Sequence, residues 1–371
     1  MEFTVSKADL VRELSLCQGV VEKRTTIPIL SNVLMEASQD KLLLTATDLE
    51  LGIRSACAAR VIRPGSGTVP ARKLLDYVRL LPDVDVQVKF LENQWASLTC
   101  GRSRTRIAGM SRESFPELPS MPEPLAQIPA RVLARMIART IYAISTEESR
   151  FTLSGALLIL REGAAAMVST DGHRLAFVEQ RQDLPGVRAH YRALIPRKAM
   201  GEILKLAEES GPEATVEFSA DENHLFFRFG ERLLISRKLA ANFPDFERVL
   251  PREHPHSVRL DREEVKAAIE RVSQFSDERS HAIRLELAPG ELKVHSSLSD
   301  TGESEESLPA EYDGAQLEIG FNAHYLLDFL RVLEEDQVWL QFKDAQSAGE
   351  LRPAADSAAW SYRYIVMPMK I

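Results

Sequence analysis

The sequence predicts an α+β protein built from three tandem copies of one helix–strands–helix–strands unit. Three observations predict this fold class. Related segments recur at about one third of the 371-residue length. An amphipathic helix followed by alternating, strand-like runs opens each third, and proline-rich segments separate the thirds. A fixed period of this kind is the signature of tandem repeats.

The recurring segments keep one register. They are A-R-K-L-L-D-Y-V-R-L-L-P-D (71–83), P-R-K-A-M-G-E-I-L-K-L (196–206) and A-H-Y-L-L-D-F-L-R-V-L-E-E (323–335), together with S-F-P-E-L (114–118) and N-F-P-D-F (242–246). In this alignment Lys73 corresponds to Lys198, and Asp76 corresponds to Asp328. Agreement in a single register argues against chance similarity among helical patterns.

Each repeat divides into the same predicted elements. The opening helices are expected at residues 6–21, 130–144 and 262–275. Period-2 alternation follows them in L-L-L-T-A-T-D-L-E (42–50), A-M-V-S-T-D-G-H-R (166–174) and E-L-K-V-H-S-S-L-S (291–299). More strands are expected after the second helix, at 84–90, 214–218 and 338–342. The proline-rich joints are 116–124 and 249–255, so the predicted domains span 1–121, 127–249 and 250–371.

Composition excludes several classes of protein. Hydrophobic residues make up 44% of the chain and charged residues 27%, as in soluble globular proteins. The N-terminus M-E-F-T-V-S-K has no secretory leader, and no apolar run is long enough to cross a bilayer, so no membrane partner is expected. The three cysteines are far apart, which favours a reducing cytoplasm over disulfides or a metal site.

The charge pattern is uneven. The net charge of −8 argues against a protein that coats nucleic acid with a generally basic surface. Positive charge nevertheless gathers on helices, because Arg131, Arg135 and Arg139 recur every four residues, while acidic excess lies in 208–213 and 300–306. Solvated helix faces often carry arginine, and the third repeat is less basic. Three such units are compatible with a solenoid, a compact enzyme, or an arc that two chains close into a ring.

The segment V-S-T-D-G-H-R-L-A-F (168–177) has the composition of an active site, with Asp171, His173 and Arg174 around a glycine. A hydrolase built on Asp171 and His173 is one interpretation. No nucleophile elbow, zinc helix, phosphate loop or paired Cys/His ligands accompany it, so no catalytic residue, metal or cofactor is expected. Asp-Gly between apolar runs is more typical of a tight turn.

Taken together, the motifs resemble those of the bacterial sliding clamp family, the β subunits of DNA polymerase III, over essentially the whole chain. They are T-I-P-I-L-S-N (26–32), L-T-A-T-D-L-E (44–50), V-P-A-R-K (69–73), S-T-D-G-H-R-L-A (169–176), N-F-P-D-F-E-R-V-L-P (242–251), E-I-G-F-N (318–322) and V-M-P-M-K-I (366–371). The resemblance implies the DNA clamp fold, in a ring-shaped head-to-tail homodimer with helices inside and sheets outside. It implies a non-catalytic subunit that encircles duplex DNA without sequence specificity and tethers the polymerase.

The resemblance also implies a peptide-binding groove between the second and third domains. Its partners would be the DNA polymerase III catalytic subunit, the clamp loader, and other polymerases and repair proteins that carry Gln-Leu-x-Leu-Phe-type motifs. Arg174 and Arg248 are expected at the rim. The segment I-V-M-P-M-K-I (365–371) is expected in part to be an apolar strand packed into the core, as Tyr362 and Tyr364 alternate like a strand, and Pro368 is expected to leave its end as an exposed edge. The implied groove residues are Leu153, Thr170, Gly172, His173, Arg174, Leu175, Pro244, Arg248, Val249, Tyr325, Ile365, Val366, Met367, Pro368 and Met369.

Two further surfaces follow from the resemblance. The implied DNA-facing residues are Arg24, Arg72, Arg131, Arg135, Arg150, Phe151, Arg197 and Lys198. At the dimer interface the resemblance pairs one set from the first domain with one set from the third domain of the other chain. The first set is Lys73, Tyr77, Leu81, Thr105 and Ile107, and the second is Arg271, Gln274, Phe275, Glu303, Glu305 and Glu306. A generic three-domain scaffold, with no topological preference for DNA, remains the other non-enzymatic interpretation.

Overall fold

The computed structural model describes residues 1–22, 25–187, 189–298, 302–355 and 357–370. The α-helices in this part of the chain are α1 Lys7–Val20, α2 Ala71–Leu80, α3 Ala130–Ala138, α4 Arg197–Glu209, α5 Arg262–Val272 and α6 Ala323–Val332. None of them is long and apolar enough to span a membrane. Two α-helices therefore belong to each predicted repeat, as the sequence pattern indicated.

The strands follow the same threefold order. The first repeat contains β1 Glu2–Val5, β2 Asn32–Ser38, β3 Lys41–Thr47, β4 Leu51–Ala58, β5 Arg60–Arg63, β6 Gly65–Pro70, β7 Val86–Phe90, β8 Trp95–Cys100 and β9 Ser103–Ala108. The second contains β10 Ala126–Pro129, β11 Gly155–Arg161, β12 Ala164–Thr170, β13 Arg174–Arg181, β14 Tyr191–Pro196, β15 Thr215–Ala220, β16 His224–Phe229 and β17 Arg232–Arg237. The third contains β18 His256–Asp261, β19 Ala282–Ala288, β20 Glu291–Leu298, β21 Gly302–Pro309, β22 Leu317–Asn322, β23 Gln337–Phe342, β24 Gly349–Pro353 and β25 Trp360–Val366.

The repeats share one order of elements: a strand, a helix, a three-stranded meander, a further strand, a second helix and a second meander. The first repeat has one additional strand, β5, between its first meander and β6. The predicted α+β fold class with three tandem units is therefore confirmed. Two opening helices are shorter than expected. The helix predicted at 130–144 ends at Ala138 and continues as a 3₁₀ turn at Ile141–Ala143, while the one predicted at 262–275 ends at Val272. The Thr140 hydroxyl donates back to the Met136 carbonyl at 2.8 Å, a local bond typical of a helix end.

Two eight-stranded antiparallel sheets join the repeats. One has the order β10-β15-β16-β17-β4-β3-β2-β6, in which Leu233 of β17 lies opposite Arg54 of β4. The other has the order β14-β11-β12-β13-β25-β24-β23-β18, in which Arg174 of β13 lies opposite Val366 of β25. At each joint, the last strand of the first meander pairs with the last strand of the following repeat. The backbone ladder therefore continues from one repeat into the next.

The remaining strands form a five-stranded sheet, β5-β1-β7-β8-β9, and a four-stranded sheet, β21-β20-β19-β22. By contact density the chain forms two compact units, residues 1–133 with 198–238, and residues 134–197 with 239–371. Each eight-stranded sheet lies within one of these units. The second repeat is thus divided between them, because each of its halves shares a sheet with a neighbouring repeat.

The core consists of the apolar faces of these sheets and helices. Its largest fully buried side chains include Phe3, Phe226, Phe321, Phe329 and Tyr364. The three cysteines are buried and free. Burial raises the pKa of the Cys57 thiol to about 12, so this thiol stays protonated and unreactive at neutral pH.

Candidate functional site

Residues 170–174, here called the D-G-H-R turn, join β12 to β13. The Asp171 Oδ1 atom accepts hydrogen bonds from the backbone N–H groups of His173 and Arg174, at 2.9 and 3.1 Å. The Thr170 hydroxyl accepts from the Gly172 N–H and donates to the Arg174 carbonyl. Gly172 has φ of +90°, which glycine adopts without strain. Asp171 therefore serves to close a tight turn.

A cavity of about 160 Å³ lies beside this turn, and we call it the groove. Its walls are the turn, the start of β13, the segment 244–249 and the end of β25. Its lining residues are Leu153, Thr170, Gly172, His173, Arg174, Leu175, Pro244, Phe246, Val249, Ile365 and Met367. Ten of these eleven are among the residues that the family resemblance implied, and the structure brings them together from distant parts of the sequence.

Phe246 is the lining residue that the sequence analysis missed. It is buried at the floor of the groove and stacks on Phe177, with ring centroids 5.7 Å apart. Phe243 packs edge-on against it at 6.4 Å. The signal was present in N-F-P-D-F (242–246), where both aromatic residues flank the proline. A stacked aromatic floor gives the groove a rigid apolar base.

Five implied groove residues lie outside the lining. Val366 is fully buried, and the side chain of Arg248 is 86% exposed and pairs with Asp245 at 2.7 Å. Tyr325 lines a neighbouring cavity instead. The other two residues, Pro368 and Met369, follow the end of β25.

The C-terminus is exposed at Met367, as expected of an edge, but its backbone is anchored rather than free. β25 does end at Val366, but the Met367 N–H donates to the His173 carbonyl at 2.9 Å. Beyond Pro368, the Met369 N–H donates to the Gly320 carbonyl at 2.8 Å. Pro368 interrupts the ladder without releasing the tail, because the residues on either side of it find backbone acceptors. This anchoring holds the half-exposed Met367 side chain at the groove.

Arg174 differs from its expected role at the rim. Only 10% of its side chain is exposed, and the guanidinium group is bound from several sides. It donates to Asp171 Oδ2 at 3.0 Å, to Asp328 Oδ2 at 2.6 Å and to the Tyr142 carbonyl at 2.7 Å. It also lies over the Tyr325 ring, 4.4 Å from the centroid. A guanidinium so fully engaged has little capacity left for a peptide.

The surroundings of Arg174 keep it charged. Burial alone would lower its pKa, but the interactions with Tyr364, Asp328 and Asp171 outweigh that effect and raise the pKa above its usual value. Beneath it, burial raises the pKa of Tyr364 and Tyr142. These tyrosines therefore act as neutral hydrogen-bonding groups.

A second, more polar cavity of about 360 Å³ shares His173 and Arg174 with the groove. Its other lining residues are Tyr142, Ile144, Ser145, Thr146, Glu147, Asp171, Arg197, Tyr325 and Asp328. Arg197 donates to the Ile144 carbonyl at 3.2 Å, and Glu147 pairs with Arg150 at 3.0 Å. Arg174 is thus the partition between an apolar and a polar compartment.

The implied DNA-facing residues have different environments. Arg24 lies outside the described residues. Arg72 and Arg131 are exposed, and Phe151 is 60% exposed. Other members already have partners within the chain: Arg150 donates to the Asp171 carbonyl, and Lys198 donates to the Val20 carbonyl and pairs with Asp48.

The basic stripe predicted on α3 is only partly correct. Arg135 is half-exposed, pairs with Glu334 at 3.1 Å and lies over the Trp360 ring. Arg139 is buried and pairs with Glu335 at 3.3 Å. The four-residue spacing predicted one exposed face, but α3 ends at Ala138, so Arg139 lies beyond the helix and turns inward.

The implied dimer residues also divide by exposure. Lys73, Gln274, Glu303 and Glu305 are exposed, while Tyr77, Thr105 and Phe275 are half-buried. Leu81 and Ile107 are buried within their own chain. Arg271 forms an ion pair with Glu306 of the same chain. Leu80, which is 86% exposed at the end of α2, and the exposed Arg104 and Arg106 of β9 are not among the implied residues.

Comparison with known proteins gives one consistent family. Family models described as the N-terminal, central and C-terminal domains of the DNA polymerase III beta subunit match residues 1–119, 127–245 and 247–370. The chain is 37% identical to the beta sliding clamp of Pseudomonas aeruginosa, and the match covers all of both chains. A crystal structure of the DNA polymerase III subunit beta from P. aeruginosa superposes with a TM-score of 0.93 at 35% identity, again over all of both chains. So does a P. aeruginosa sliding clamp bound to griselimycin, with a TM-score of 0.93 at 36% identity.

Proposed function

Because the chain belongs to the DNA polymerase III beta subunit family, the bacterial sliding clamps, we propose that two copies of it close around duplex DNA. As a family member it is a non-catalytic processivity subunit that tethers the replicative polymerase and serves as a hub for other proteins. The homodimer, the individual partners and a cytoplasmic location are parts of the proposal, as are the domain limits 1–121, 127–249 and 250–371.

The groove supports the proposal that several proteins bind to this chain through short peptides. Leu175, Ile365 and Phe246 form a buried apolar floor, and Met367 is half-exposed above it. Such a cavity fits the leucine and phenylalanine anchors of a short extended peptide. The unbranched methionine side chain adapts to different ligands, which suits a site shared by several partners. The clamp bound to griselimycin shows that a relative of this chain takes a ligand.

Two strands at sheet edges, β9 and β21, support the proposed homodimer. β4 and β13 each pair with the last strand of the following repeat, whereas β21 lies at the edge of its sheet. β9, the last strand of the first repeat, is also an edge. Pairing β21 of one chain with β9 of another would repeat the two internal joints and close a head-to-tail dimer. The charges fit, because Arg104 and Arg106 are exposed on β9 while Glu303 and Glu305 are exposed on β21.

The proposed dimer can be tested through the charges on β9. The wild-type chain should run at about 83 kDa, twice the chain mass of 41.6 kDa. Arg104→Glu with Arg106→Glu should shift it to the monomer, because four acidic side chains would then face one another. Arg60→Glu with Arg63→Glu reverses two exposed arginines on β5, the opposite edge of the same sheet, and should leave the dimer intact. A monomeric wild type, or equal effects of the two variants, would refute this interface.

Encirclement of DNA is tested by topology. Arg72, Arg131 and Phe151 offer exposed contacts to phosphates and sugars without base recognition. The remaining proposed DNA-facing residues are Arg24, Arg135, Arg150, Arg197 and Lys198. After assembly by a clamp loader, the protein should remain on nicked circular DNA and slide off once the circle is cut. Equal retention on circular and linear DNA would favour a generic scaffold.

A further inference from the structure

The motif Leu-Leu-Asp-aromatic occurs in α2 and in α6, and its aspartates have different environments. Asp76 in α2 is 59% exposed and approaches only to 3.9 Å of Arg72, one helical turn away. Asp328 in α6 is 30% exposed and accepts a 2.6 Å hydrogen bond from Arg174, far away in the sequence. The same sequence position therefore has a long-range partner in one repeat and a local one in the other.

The Asp328 contact reaches the groove through a short chain of bonds. Arg174 joins the Asp328 carboxylate to the Asp171 carboxylate, through two different guanidinium nitrogens. Asp171 in turn fixes the backbone N–H groups of His173 and Arg174, which form the groove wall. The path from α6 to the wall thus consists of charge-assisted hydrogen bonds between mostly buried groups, the strong kind.

We infer that Asp328 is a positioning residue for the groove: through Arg174 it fixes the D-G-H-R turn in the conformation that accepts a peptide. Asp328 does not line the groove, so it acts without touching the ligand. The inference rests on the proposed peptide-binding function. It implies that α6 sets groove affinity, because a binding wall must be held close to its productive geometry by residues behind it.

The nearby groups on the other elements are consistent with this role. Tyr325 covers the other side of the guanidinium, and the Tyr364 hydroxyl lies 3.4 Å from it while donating to the Tyr325 carbonyl at 2.9 Å. These contacts are made by neutral groups. Of the two carboxylates that bind Arg174, Asp328 is the one supplied by another secondary-structure element. Its removal should loosen the turn without unfolding the unit.

The test measures peptide affinity and turn dynamics separately. A fluorescent Gln-Leu-x-Leu-Phe-type peptide is titrated into the intact wild-type chain, Asp328→Asn and Asp76→Asn. We expect Asp328→Asn to lower peptide affinity about tenfold, which lies within the interaction energies usual for residues of one hydrogen-bond network. Asp76→Asn should change the affinity less than twofold. In Arg174→Lys, adding Asp328→Asn should cost little more, since the path is already broken.

Hydrogen exchange of the unliganded chain gives a readout that needs no peptide. The amide hydrogens of His173 and Arg174 should exchange several-fold faster in Asp328→Asn than in the wild type, while those of Asp76→Asn stay unchanged. Failure of the wild-type chain to bind the peptide would refute the proposed function, and the exchange data would still test the link. Wild-type binding with equal affinity in Asp328→Asn, or equal losses in both variants, would overturn the inference.

Discussion

Residues 47–51, the T-D-L-E turn, and the D-G-H-R turn at 170–174 are equivalent turns in two repeats with different surroundings. In the first, Asp48 Oδ1 accepts from the N–H groups of Glu50 and Leu51, and the Thr47 hydroxyl accepts from the Leu49 N–H. The second has the same bonds in the same order. The turn itself is therefore a property of the repeat, set by a threonine and an aspartate.

The differences lie in the side chains. The third residue has positive φ in both turns, but it is Leu49 at +79° in one and Gly172 at +90° in the other. The fifth is a buried leucine in the first turn and Arg174 in the second. Each turn is also held by the second helix of the following repeat, by Lys198 in one case and by Asp328 in the other. A common backbone motif thus becomes a binding wall through the residues that surround it.

Replacing Arg174 by the residue of the first turn should have the largest effect. Arg174→Leu leaves Asp171 and Asp328 without their cation in a mostly buried site, which typically costs about 3–5 kcal/mol. The free energy of unfolding, measured by chemical denaturation, should fall by that amount. Arg248→Leu is the matched control, since its side chain is 86% exposed, and should change stability by less than about 0.5 kcal/mol. A loss below about 1 kcal/mol for Arg174→Leu would mean that the network contributes little.

Exchanging the third residues should have opposite effects in the two turns. Gly172→Leu forces a side chain into a left-handed conformation, at a cost of about 1–2 kcal/mol. Its Cβ would also lie 3.0 Å from Arg150 Nη1. Because Gly172 itself lines the groove, peptide affinity should fall as well. Leu49→Gly should instead stabilise the chain by up to about 1 kcal/mol, because it removes backbone strain at a half-exposed side chain. Chemical denaturation should therefore give a lower free energy of unfolding for Gly172→Leu and a higher one for Leu49→Gly. A lower value for Leu49→Gly would show that packing of the Leu49 side chain stabilises the turn.

The contact between Lys198 and the T-D-L-E turn should contribute less to stability than the contacts of Arg174 in the D-G-H-R turn. Lys198→Ala removes a half-exposed cation from Asp48, which keeps its bonds to the turn backbone. We expect a loss of about 1 kcal/mol. Lys41→Ala, which removes an exposed pair with Glu231, should cost less than about 0.5 kcal/mol. If Lys198→Ala lowers the free energy of unfolding as much as Arg174→Leu does, the contacts that hold the two turns are equally strong.

The smallest effect should come from protonation of His324, which lies in α6 near Asp328. His324 in α6 stacks on His281 with ring centroids 3.9 Å apart, and burial together with the charge of His281 lowers its pKa. The folded state therefore prefers neutral His324, so stability should fall as the pH drops below the ordinary histidine value of 6.5. His324→Gln should flatten the dependence of the free energy of unfolding on pH below about 6.5. If the pH dependence of the free energy of unfolding is unchanged in His324→Gln, other groups are responsible for any loss of stability in acid.

The sequence was most informative where structure is local or repeated. The three repeats, their helices and the tight turn follow from periodicity and turn chemistry within short windows. The groove lining could be named only because the family resemblance supplied long-range proximity, and even so Phe246 was missed. Arg139 was misjudged because its exposure depends on where α3 ends. The Arg174–Asp328 pair and the Met369–Gly320 bond join distant segments, and no local pattern encodes such contacts.

The most direct test of the account is binding of a Gln-Leu-x-Leu-Phe-type peptide to the groove. Fluorescence anisotropy would compare the intact chain with a chain that ends at Val366, which lacks the groove residue Met367 and the Met369 anchor. The account predicts micromolar binding to the intact chain and loss of binding after truncation, with the thermal unfolding midpoint largely preserved. No binding to the intact chain, or equal binding to both chains, would contradict it.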